Sequence, residues 1–299
     1  MSFIDPLKSI ELQNGDLSIG VLNYGARTTF IRHRNSDLAL YYPDPQDYVT
    51  GIPYVGAIVG RVANRISRAS FEMDGKQFSL TPNEGRNQLH GGPQGLSQKF
   101  WNMDQLSPSL VQLTHTSTNG EEGYPAKVAF TVEIELFESA LEYRMSATSS
   151  AATPINLAQH NYYAIDIEKS ELQVPADHYT PVDEEQIPTG ALKAVANTTF
   201  DYRRFSNIAP DIDHNLVLNE GENSFALKSA NCVLSFTTDQ PGLQVYSGAG
   251  LSAPFEPNSG LALEPQYFPN AVNQEGFEMP LTTPEAPYHQ VLRIEINPI

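Results

Sequence analysis

The sequence predicts an all-β protein, built as a large antiparallel β-sandwich. Apolar and polar residues alternate with a period of two along several segments, the pattern of strands that bury one face. The 22 prolines and 20 glycines interrupt the chain at short intervals, as expected of closely spaced turns. No segment of about twelve or more residues has a clean 3.6-residue apolar period. Too few helices are therefore available for an α/β fold.

Seven segments carry the strand pattern most clearly. In 128–136, Val128, Phe130 and Val132 alternate with Thr131 and other polar residues. Segment 141–148 repeats the alternation after a short link, so the two are predicted to form an antiparallel hairpin. The Pro- and Ser-containing stretch 249–259 is predicted to be a loop. In chain order the predicted strands are 17–21, 111–118, 128–136, 141–148, 232–237, 243–246 and 290–296.

The composition fits one large domain with an acidic surface. Of the 299 residues, 40% are hydrophobic and 18% are charged, which allows a substantial core and argues against wholesale disorder. We expect residues 1–299 to form a single domain, because a large all-β sandwich can fold as one unit at this length. The net charge of −17 repels phosphate backbones and anionic lipids, so neither nucleic acid nor a membrane is expected as a partner.

The chain shows no predicted signal for export or membrane insertion. Residues 1–6 have neither a basic region nor an apolar one, and no apolar run approaches the roughly 20 residues that span a bilayer. We therefore expect a soluble, cytoplasmic protein, as a monomer or homodimer. Cys232 is the only cysteine, so no intramolecular disulfide forms, and we interpret it as a small buried apolar residue rather than a reactive thiol.

Two neighbouring blocks are polar in a region otherwise made of short apolar strands. Block 60–66 contains Arg61, Asn64 and Arg65, and block 89–93 places His90 before two glycines. Arginine and histidine are costly to bury without partners. Glycine lets the backbone come close to whatever a neighbouring histidine touches. The two blocks therefore predict a functional site.

The seven histidines form no recognisable metal motif. None stands in an HxH or HExxH pair, and no cysteine cluster accompanies them, so no metal ion is expected. His160 lies in a mixed apolar and amide segment, and His90 lies beside glycines. From the residues alone, each is either a hydrogen-bonded structural histidine or part of a site.

Glu264 stands out among the 35 acidic residues. It ends an apolar run and is followed by proline, glutamine and aromatic residues, so it is poorly placed for free solvation and needs a partner or a chemical role. Asp213 is either an Asx-turn residue or an acceptor in a pocket. Gln244 falls inside a predicted strand and by itself carries no information.

These residue types suit a ligand rich in hydroxyl groups. Sugar hydroxyls both donate and accept hydrogen bonds, and Arg, Asn, Gln, Asp and His supply the matching groups in fixed geometry. A carboxylate and a histidine together provide a general base and a general acid. The chain contains no Walker-type loop, no G-x-G-x-x-G and no G-x-S-x-G, so nucleotide binding and acyl transfer lack support.

Distinctive blocks occur along nearly the whole chain. They are 22–26, 56–66, 87–92 followed by Trp101, 120–125, 156–162, 179–184, 187–190, 213–215, 241–244 and 263–266. In this order and number they resemble the blocks of the aldose 1-epimerases, the galactose mutarotases. The resemblance implies the large sandwich of that family, a galactose mutarotase-like supersandwich, with a broad sugar-binding cleft and no cofactor.

The resemblance also implies a role for each candidate. Glu264 is the general base and His160 the general acid. The implied substrate contacts are Asn64, Arg65, His90, Tyr162, Asp213 and Gln244. The implied reaction interconverts the α and β anomers of a free aldohexose such as glucose or galactose. Glu264 takes the proton of the C1 hydroxyl, His160 gives one to the ring oxygen, and the opened ring closes on the other carbonyl face.

The chain departs from the usual family pattern near the expected cleft mouth. Ser247 and Ala249 stand where members usually have Thr and Asn, and Asn270 replaces a common Asp. Three other functions stay open. A hexose 6-phosphate 1-epimerase-like enzyme needs basic residues in the cleft, and a sugar-binding module needs no acid–base pair. A glycoside hydrolase usually needs two suitably spaced carboxylates, whereas only Glu264 stands out, with Asp213 a distant second.

Overall fold

Strands dominate the structure, as the sequence predicts. The structure is a computed structural model that describes residues 7–51, 54–230 and 232–299; the prediction drawn from residues 1–6 lies outside them. Within these ranges the one α-helix is α1 (Asp47–Thr50), and short 3₁₀ turns span Ser67–Ala69, Leu96–Gln98, Glu121–Gly123 and Ala271–Asn273. No helix of the described residues has the length and apolar character that a membrane crossing needs.

The strands are short and follow one another closely. Those of the first half are β1 (Ser9–Asn14), β2 (Leu17–Leu22), β3 (Arg27–His33), β4 (Ser36–Asp37), β5 (Ile58–Val59), β6 (Arg65–Ile66), β7 (Ser70–Met73), β8 (Lys76–Ser79), β9 (Gln88–Leu89), β10 (Asn102–Ser107), β11 (Leu110–Ser117), β12 (Val128–Leu136) and β13 (Ala140–Ser149). Those of the second half are β14 (Thr153–Pro154), β15 (Ala158–Gln159), β16 (Tyr162–Ala164), β17 (Glu171–Gln173), β18 (His178–Thr180), β19 (Lys193–Ala194), β20 (Ser206–Asn207), β21 (Asp213–Val217), β22 (Ser224–Lys228), β23 (Cys232–Thr238), β24 (Gly242–Tyr246), β25 (Gly260–Gln266), β26 (Leu281–Thr282) and β27 (Tyr288–Pro298).

The largest sheet has nine strands, in the order β10-β11-β12-β13-β27-β23-β22-β17-β20. Its centre is the predicted hairpin: β12 and β13 are antiparallel, from the pair Val128–Ser149 to the pair Leu136–Leu141. Along β12, buried and half-buried or exposed residues alternate without a break, which is the consequence of the period-two pattern. One face of this sheet therefore lies on the core and the other carries charged residues toward solvent.

A six-stranded sheet, β16-β25-β24-β21-β18-β19, and a four-stranded sheet, β1-β2-β3-β4, lie across the core from the large sheet. One contiguous apolar cluster contains side chains of all three sheets, among them Phe130, Leu292, Leu243, Leu263 and Ile19. All pairs of named strands within the described residues are antiparallel. The predicted antiparallel β-sandwich is thus confirmed.

Each of the seven predicted strands is present, with ends that coincide or differ by at most two residues. Segment 249–259 forms no strand, as predicted, and Cys232 is buried at 6% exposure. The sequence missed longer strands such as β1, β3, β10 and β25, and it predicted none of the two- and three-residue strands. Such strands are too short to show a period, so their pairing is decided by the chain that lies beside them.

The site lies on the six-stranded sheet because three of its strands are polar on one face. In β21, β24 and β25, the residues Asn215, Gln244 and Glu264 are directly paired across the sheet. Their neighbours Leu243 and Leu263 point to the opposite face and join the core. The sandwich thereby fills its interior with one face of these strands and leaves the other face for polar side chains.

Candidate active site

A pocket of about 200 Å³ lies on the polar face of the six-stranded sheet. It is smaller than the roughly 300–1,000 Å³ of typical small-molecule sites. Its lining residues are Tyr54, Asn64, Arg65, Leu89, His90, His160, Tyr162, Asp213, Gln244, Tyr246 and Glu264. All eight residues singled out from the sequence line this one pocket, although they are as far apart in the chain as Asn64 and Glu264.

The two polar blocks of the first third meet through a close backbone contact. Gly91 has a φ of +86°, and a Cβ at this position would lie 1.8 Å from the carbonyl oxygen of Gly60. Only glycine fits there. β6 and β9 pair directly beside it, with Arg65 opposite Leu89, and His90 donates its backbone N–H to the carbonyl of Asn64. Asn64, Arg65 and His90 are therefore held together as one unit at the pocket wall.

Arg61 belongs to the same block but does not line the pocket. Its guanidinium donates to the hydroxyl of Ser117 and to the carbonyl oxygens of Thr118, Pro125 and Ala126, at 2.7–3.2 Å. These bonds fix the 117–126 turn against the block. Of the two arginines that predicted a site, one is structural and the other faces the pocket.

Glu264 is enclosed in the middle of β25, whose seven residues are all buried. The side chain is 2% exposed. Burial raises the pKa of its carboxyl to about 8, and the charge of Asp213 raises it as well, against the opposing effect of Arg65. Its Oε2 atom has no hydrogen-bond partner among the described residues. A carboxyl with a raised pKa and a free oxygen is suited to exchange protons near neutral pH.

His160 faces this carboxyl, with its Nε2 3.6 Å from Oε1 of Glu264. The backbone of His160 is bonded on both sides to the neighbouring segment: its N–H donates to Ala57 and its carbonyl accepts from Gly56. Burial lowers the pKa of the imidazole to about 4. Burial thus raises the pKa of Glu264 and lowers the pKa of His160, so it favours the uncharged form of each residue. We refer to the two as the acid–base pair.

His90 is fixed in one protonation form by a backbone contact. Its Nδ1 accepts the N–H of Asn64 at 3.1 Å, so the neutral ring carries its proton on Nε2. Burial, together with the nearby charges of His160 and Arg65, holds the pKa of His90 well below its ordinary 6.5. The ring therefore presents an N–H donor beside His160, whose ring centre is 5.2 Å away.

Arg65, Asp213 and Gln244 are linked along the pocket wall, the first two by an ion pair and the last two by a hydrogen bond. Arg65 donates to both carboxylate oxygens of Glu84, at 2.6 and 2.9 Å, and its Nη1 lies 3.8 Å from Oδ2 of Asp213. Gln244 donates to Oδ1 of Asp213 at 2.6 Å. Asp213 lies on β21, so it is a pocket acceptor and not an Asx-turn residue. Each group is oriented by its neighbour and keeps capacity for a ligand hydroxyl.

Three tyrosine rings enclose the pocket. The ring of Tyr162 lies 5.0 Å from that of His160, and the ring of Tyr54 lies 4.6 Å from that of His90. The hydroxyl of Tyr246 accepts the N–H of Gly250, which fixes the 249–259 loop. Sequence reasoning missed Tyr54, Leu89 and Tyr246. Tyr246 carries a usable signal, because it stands two residues after Gln244 on a predicted strand and so shares its face.

His90, His160 and Glu264 each offer a ligand atom, and these atoms lie within 4.8 Å of one another. The hydrogen bond from Asn64 argues against a metal ion between them. It occupies the lone pair of Nδ1 of His90, and the neutral ring then carries its proton on Nε2, where a metal would need a lone pair. The three residues therefore suit proton transfer better than metal binding.

Comparison with known proteins identifies relatives along almost the whole chain. A family model described as aldose 1-epimerase matches residues 8–295. The galactose mutarotase of Sus scrofa is 33% identical over 95% of this chain and 92% of its own length. The aldose 1-epimerase of Escherichia coli K12 is 31% identical over 92% of this chain and 90% of its own.

Solved structures share the fold. A GalM/aldose epimerase homologue from C. elegans superposes with a TM-score of 0.94 at 26% identity, covering 98% of this chain and 100% of its own. Galactose 1-epimerase from Lactobacillus acidophilus gives a TM-score of 0.91 at 25% identity, covering 100% of this chain and 96% of its own. The supersandwich predicted from the sequence is therefore confirmed.

Proposed function

This chain belongs to the aldose 1-epimerase family, and we propose that its pocket interconverts the α and β anomers of a free aldohexose through Glu264 and His160. The protein is an isomerase that acts on carbohydrates. One observation carries the assignment of residues. A buried carboxyl with a free oxygen faces a buried imidazole at 3.6 Å, inside a pocket lined by hydroxyl-binding side chains.

The proposed reaction moves one proton onto the sugar and one off it. Glu264 takes the proton of the C1 hydroxyl while His160 delivers one to the ring oxygen, so the bond between C1 and the ring oxygen breaks and an open-chain aldehyde forms. Rotation about C1–C2 presents the other face of the carbonyl. The C5 hydroxyl then attacks C1 with both proton transfers reversed. Acid–base catalysis of this kind typically contributes about 10²–10⁴-fold, and a fixed orientation adds to it.

The reaction requires that the acid–base pair hold one proton. In the empty pocket burial favours this proton on Glu264, since its pKa is raised to about 8 and that of His160 is lowered to about 4. A bound sugar offers its C1 hydroxyl as a donor to the carboxylate, which stabilises the ionised form. The proton then resides on His160, ready for the ring oxygen.

The other lining residues would hold the sugar in register. The Nε2–H of His90 and the guanidinium of Arg65 are donors, whereas Asp213 accepts. Tyr162 and Tyr54 offer aromatic faces to the apolar side of a ring. Arg65 is the one cation lining the described pocket and is already engaged by Glu84 and Asp213. This arrangement favours a neutral sugar over a sugar phosphate.

Polarimetry tests the proposal directly. Fresh α-D-glucose or α-D-galactose is expected to reach anomeric equilibrium faster with the protein than in buffer alone, with saturation at high sugar concentration. Xylose, arabinose and maltose define the size of the accepted sugar, and glucose 6-phosphate is expected to react poorly. Heat-denatured protein is the control. Saturable binding of a sugar without acceleration of any sugar would contradict the proposal and indicate a binding module.

The pH dependence of kcat/KM tests the one-proton requirement. Below about pH 4 both members of the pair are protonated and no base is left; above about pH 8 both are deprotonated and no acid is left. We expect a plateau between these limits and a decline of roughly tenfold per pH unit outside them. Rates are corrected for the spontaneous reaction, and circular dichroism at each pH confirms folding. An acid limb near the ordinary histidine pKa of about 6.5 would contradict this assignment.

Three further properties belong to the proposal. We propose a single domain over residues 1–299, supported by the apolar cluster that contains strands from both halves of the chain. A cytoplasmic location is supported by the free, buried thiol of Cys232. A monomer or homodimer without nucleic-acid partners is supported by the net charge of −17.

A further inference from the structure

Two buried amide side chains next to the pocket have no hydrogen-bond partners. Asn215 is 1% exposed and Gln266 is fully buried. For each of them, neither the side-chain nitrogen nor the side-chain oxygen finds a partner in the part of the chain that the structure describes. Buried amides without hydrogen bonds are strongly disfavoured. These four atoms therefore indicate a bound polar molecule.

The sheet register places both amides beside the catalytic carboxyl. Asn215 shares a row with Gln244 and Glu264 across β21, β24 and β25. Gln266 follows Glu264 by two residues on β25 and so faces the same side of the sheet. Gln266 is paired with Gly242 in the next row. The two amides are thus close neighbours of Gln244 and Glu264, which line the pocket.

Gly242 keeps the space between the two amides free of a side chain. A Cβ at this position would lie 2.5 Å from Oδ1 of Asn215, 2.9 Å from the ring of Phe268 and 3.1 Å from the carbonyl oxygen of Gln266. A larger residue would displace the amide of Asn215. With glycine on the central strand, the amide of Asn215 can lie over Gly242, toward the strand that carries Gln266.

We infer that Asn215 and Gln266 hold internal water beneath the pocket, and that this water hydrogen-bonds the free Oε2 of Glu264. Water is the ligand of matching chemistry, because both amides offer donors and acceptors in a closed site and a buried water makes about three hydrogen bonds. A single water bridges polar atoms roughly 5.5 Å apart. The Cα atoms of Glu264 and Gln266 lie about 7 Å apart along the strand, and both side chains are on the same side of the sheet.

The water would act on catalysis through Glu264, so this part rests on the proposed function. The charged or titratable groups around that carboxyl are Asp213, Arg65, His160, His90 and Tyr162. None of them hydrogen-bonds Oε2 in the described structure. Water held by two amides donates to this oxygen and stabilises the ionised carboxylate. Asn215 and Gln266 are then positioning residues, which act on the sugar only through Glu264.

A crystal structure at a resolution that shows ordered solvent tests the site itself. We expect at least one water bonded to the amides of both Asn215 and Gln266 and within about 3 Å of Oε2 of Glu264. Direct hydrogen bonds between the two amides, with no water between them, would overturn the inference. A water that is present but does not hydrogen-bond Glu264 would also overturn the inference. This result is independent of whether the protein is active.

The Gln266→Met variant tests the catalytic consequence. Loss of the water is expected to lower kcat more than it changes KM, and to move the alkaline limb of the pH profile upward by roughly half to one pH unit. Gln290→Met is the matched control, since Gln290 is also a buried amide but its polar atoms are satisfied by Tyr288 and Pro265. Gln290→Met should lower thermal stability without moving the alkaline limb of the pH profile.

If the alkaline limb of the pH profile does not move in Gln266→Met, or if it moves equally in Gln266→Met and Gln290→Met, the link between the water and Glu264 is overturned. If Gln266→Met does not fold, Asn215→Leu provides the same kinetic test from the other strand. A wild-type protein that holds the water but accelerates no sugar would contradict the proposed function and leave the water site standing.

Discussion

Glu264→Gln is expected to abolish the acceleration of anomerisation while leaving the protein folded. Glutamine keeps the size and polarity of the side chain but cannot accept the proton of the C1 hydroxyl. The loss is expected to be about 10²–10⁴-fold in kcat, the usual contribution of a general base. Folding should not suffer, because the buried carboxyl has a raised pKa and is held mostly in its uncharged form, which an amide replaces without a new buried charge.

Polarimetry on fresh α-D-galactose measures this effect, with thermal unfolding as the check on the fold. Glu220→Gln is the matched control, because Glu220 is exposed and does not line the pocket. It makes the same replacement of a carboxyl by an amide and should retain the wild-type rate. Full activity in Glu264→Gln would show that another group accepts the proton and would withdraw the role given to Glu264.

His160→Asn is expected to reduce kcat by a similar factor, about 10²–10⁴-fold. Asparagine retains a polar group in the pocket but cannot deliver a proton to the ring oxygen at neutral pH. Because the two residues act on one reaction step, the double variant with Glu264→Gln should be little worse than either single variant. His160 supports the wall of the pocket as well, so a moderate rise in KM is expected beside the loss of kcat.

His289→Asn serves as the control for this second variant. His289 lies on β27, is exposed on the outer face of the large sheet, and should be replaceable without effect. If His160→Asn raised KM but left kcat at the wild-type value, His160 would be a binding residue only. Additive losses in the double variant would likewise argue against a shared step.

The strands that could be predicted are those long enough to show a period. In β12 and β13 the inward residues are apolar, apart from Ser149 at the end of β13, and each outward residue is polar or small, since one face lies on the core. β25 shows the limit of this reasoning. It is buried on both faces and carries a carboxyl and an amide, so its local pattern predicts neither a strand nor a direction for Glu264. Its place is fixed by pairing with β24 and β16.

In the candidate site, too, some features could be predicted from the sequence and others depend on tertiary contacts. The sequence marked Glu264 as an acid in an unfavourable place, and the order of its blocks resembled one family; both observations can be made without knowing which segments are in contact. Tyr54 carries no such signal, because its place above His90 depends on a turn with φ +75°. Arg61 and Arg65 look alike in the sequence. Only the packing of the 117–126 turn around Arg61 separates the structural residue from the one that lines the pocket.

The sequence by itself indicated the fold class, seven of the strands and the family, and the family resemblance implied eight of the eleven residues that line the pocket. These properties follow from periodicity, residue chemistry and the order of motifs, all of which can be read without knowing which distant segments are in contact. The tertiary structure decided how those residues are arranged. It placed Glu264 beside His160, fixed the proton of His90 through Asn64, and left Asn215 and Gln266 without partners. Each of these features depends on burial and on contacts between distant segments, and neither can be read from the sequence alone.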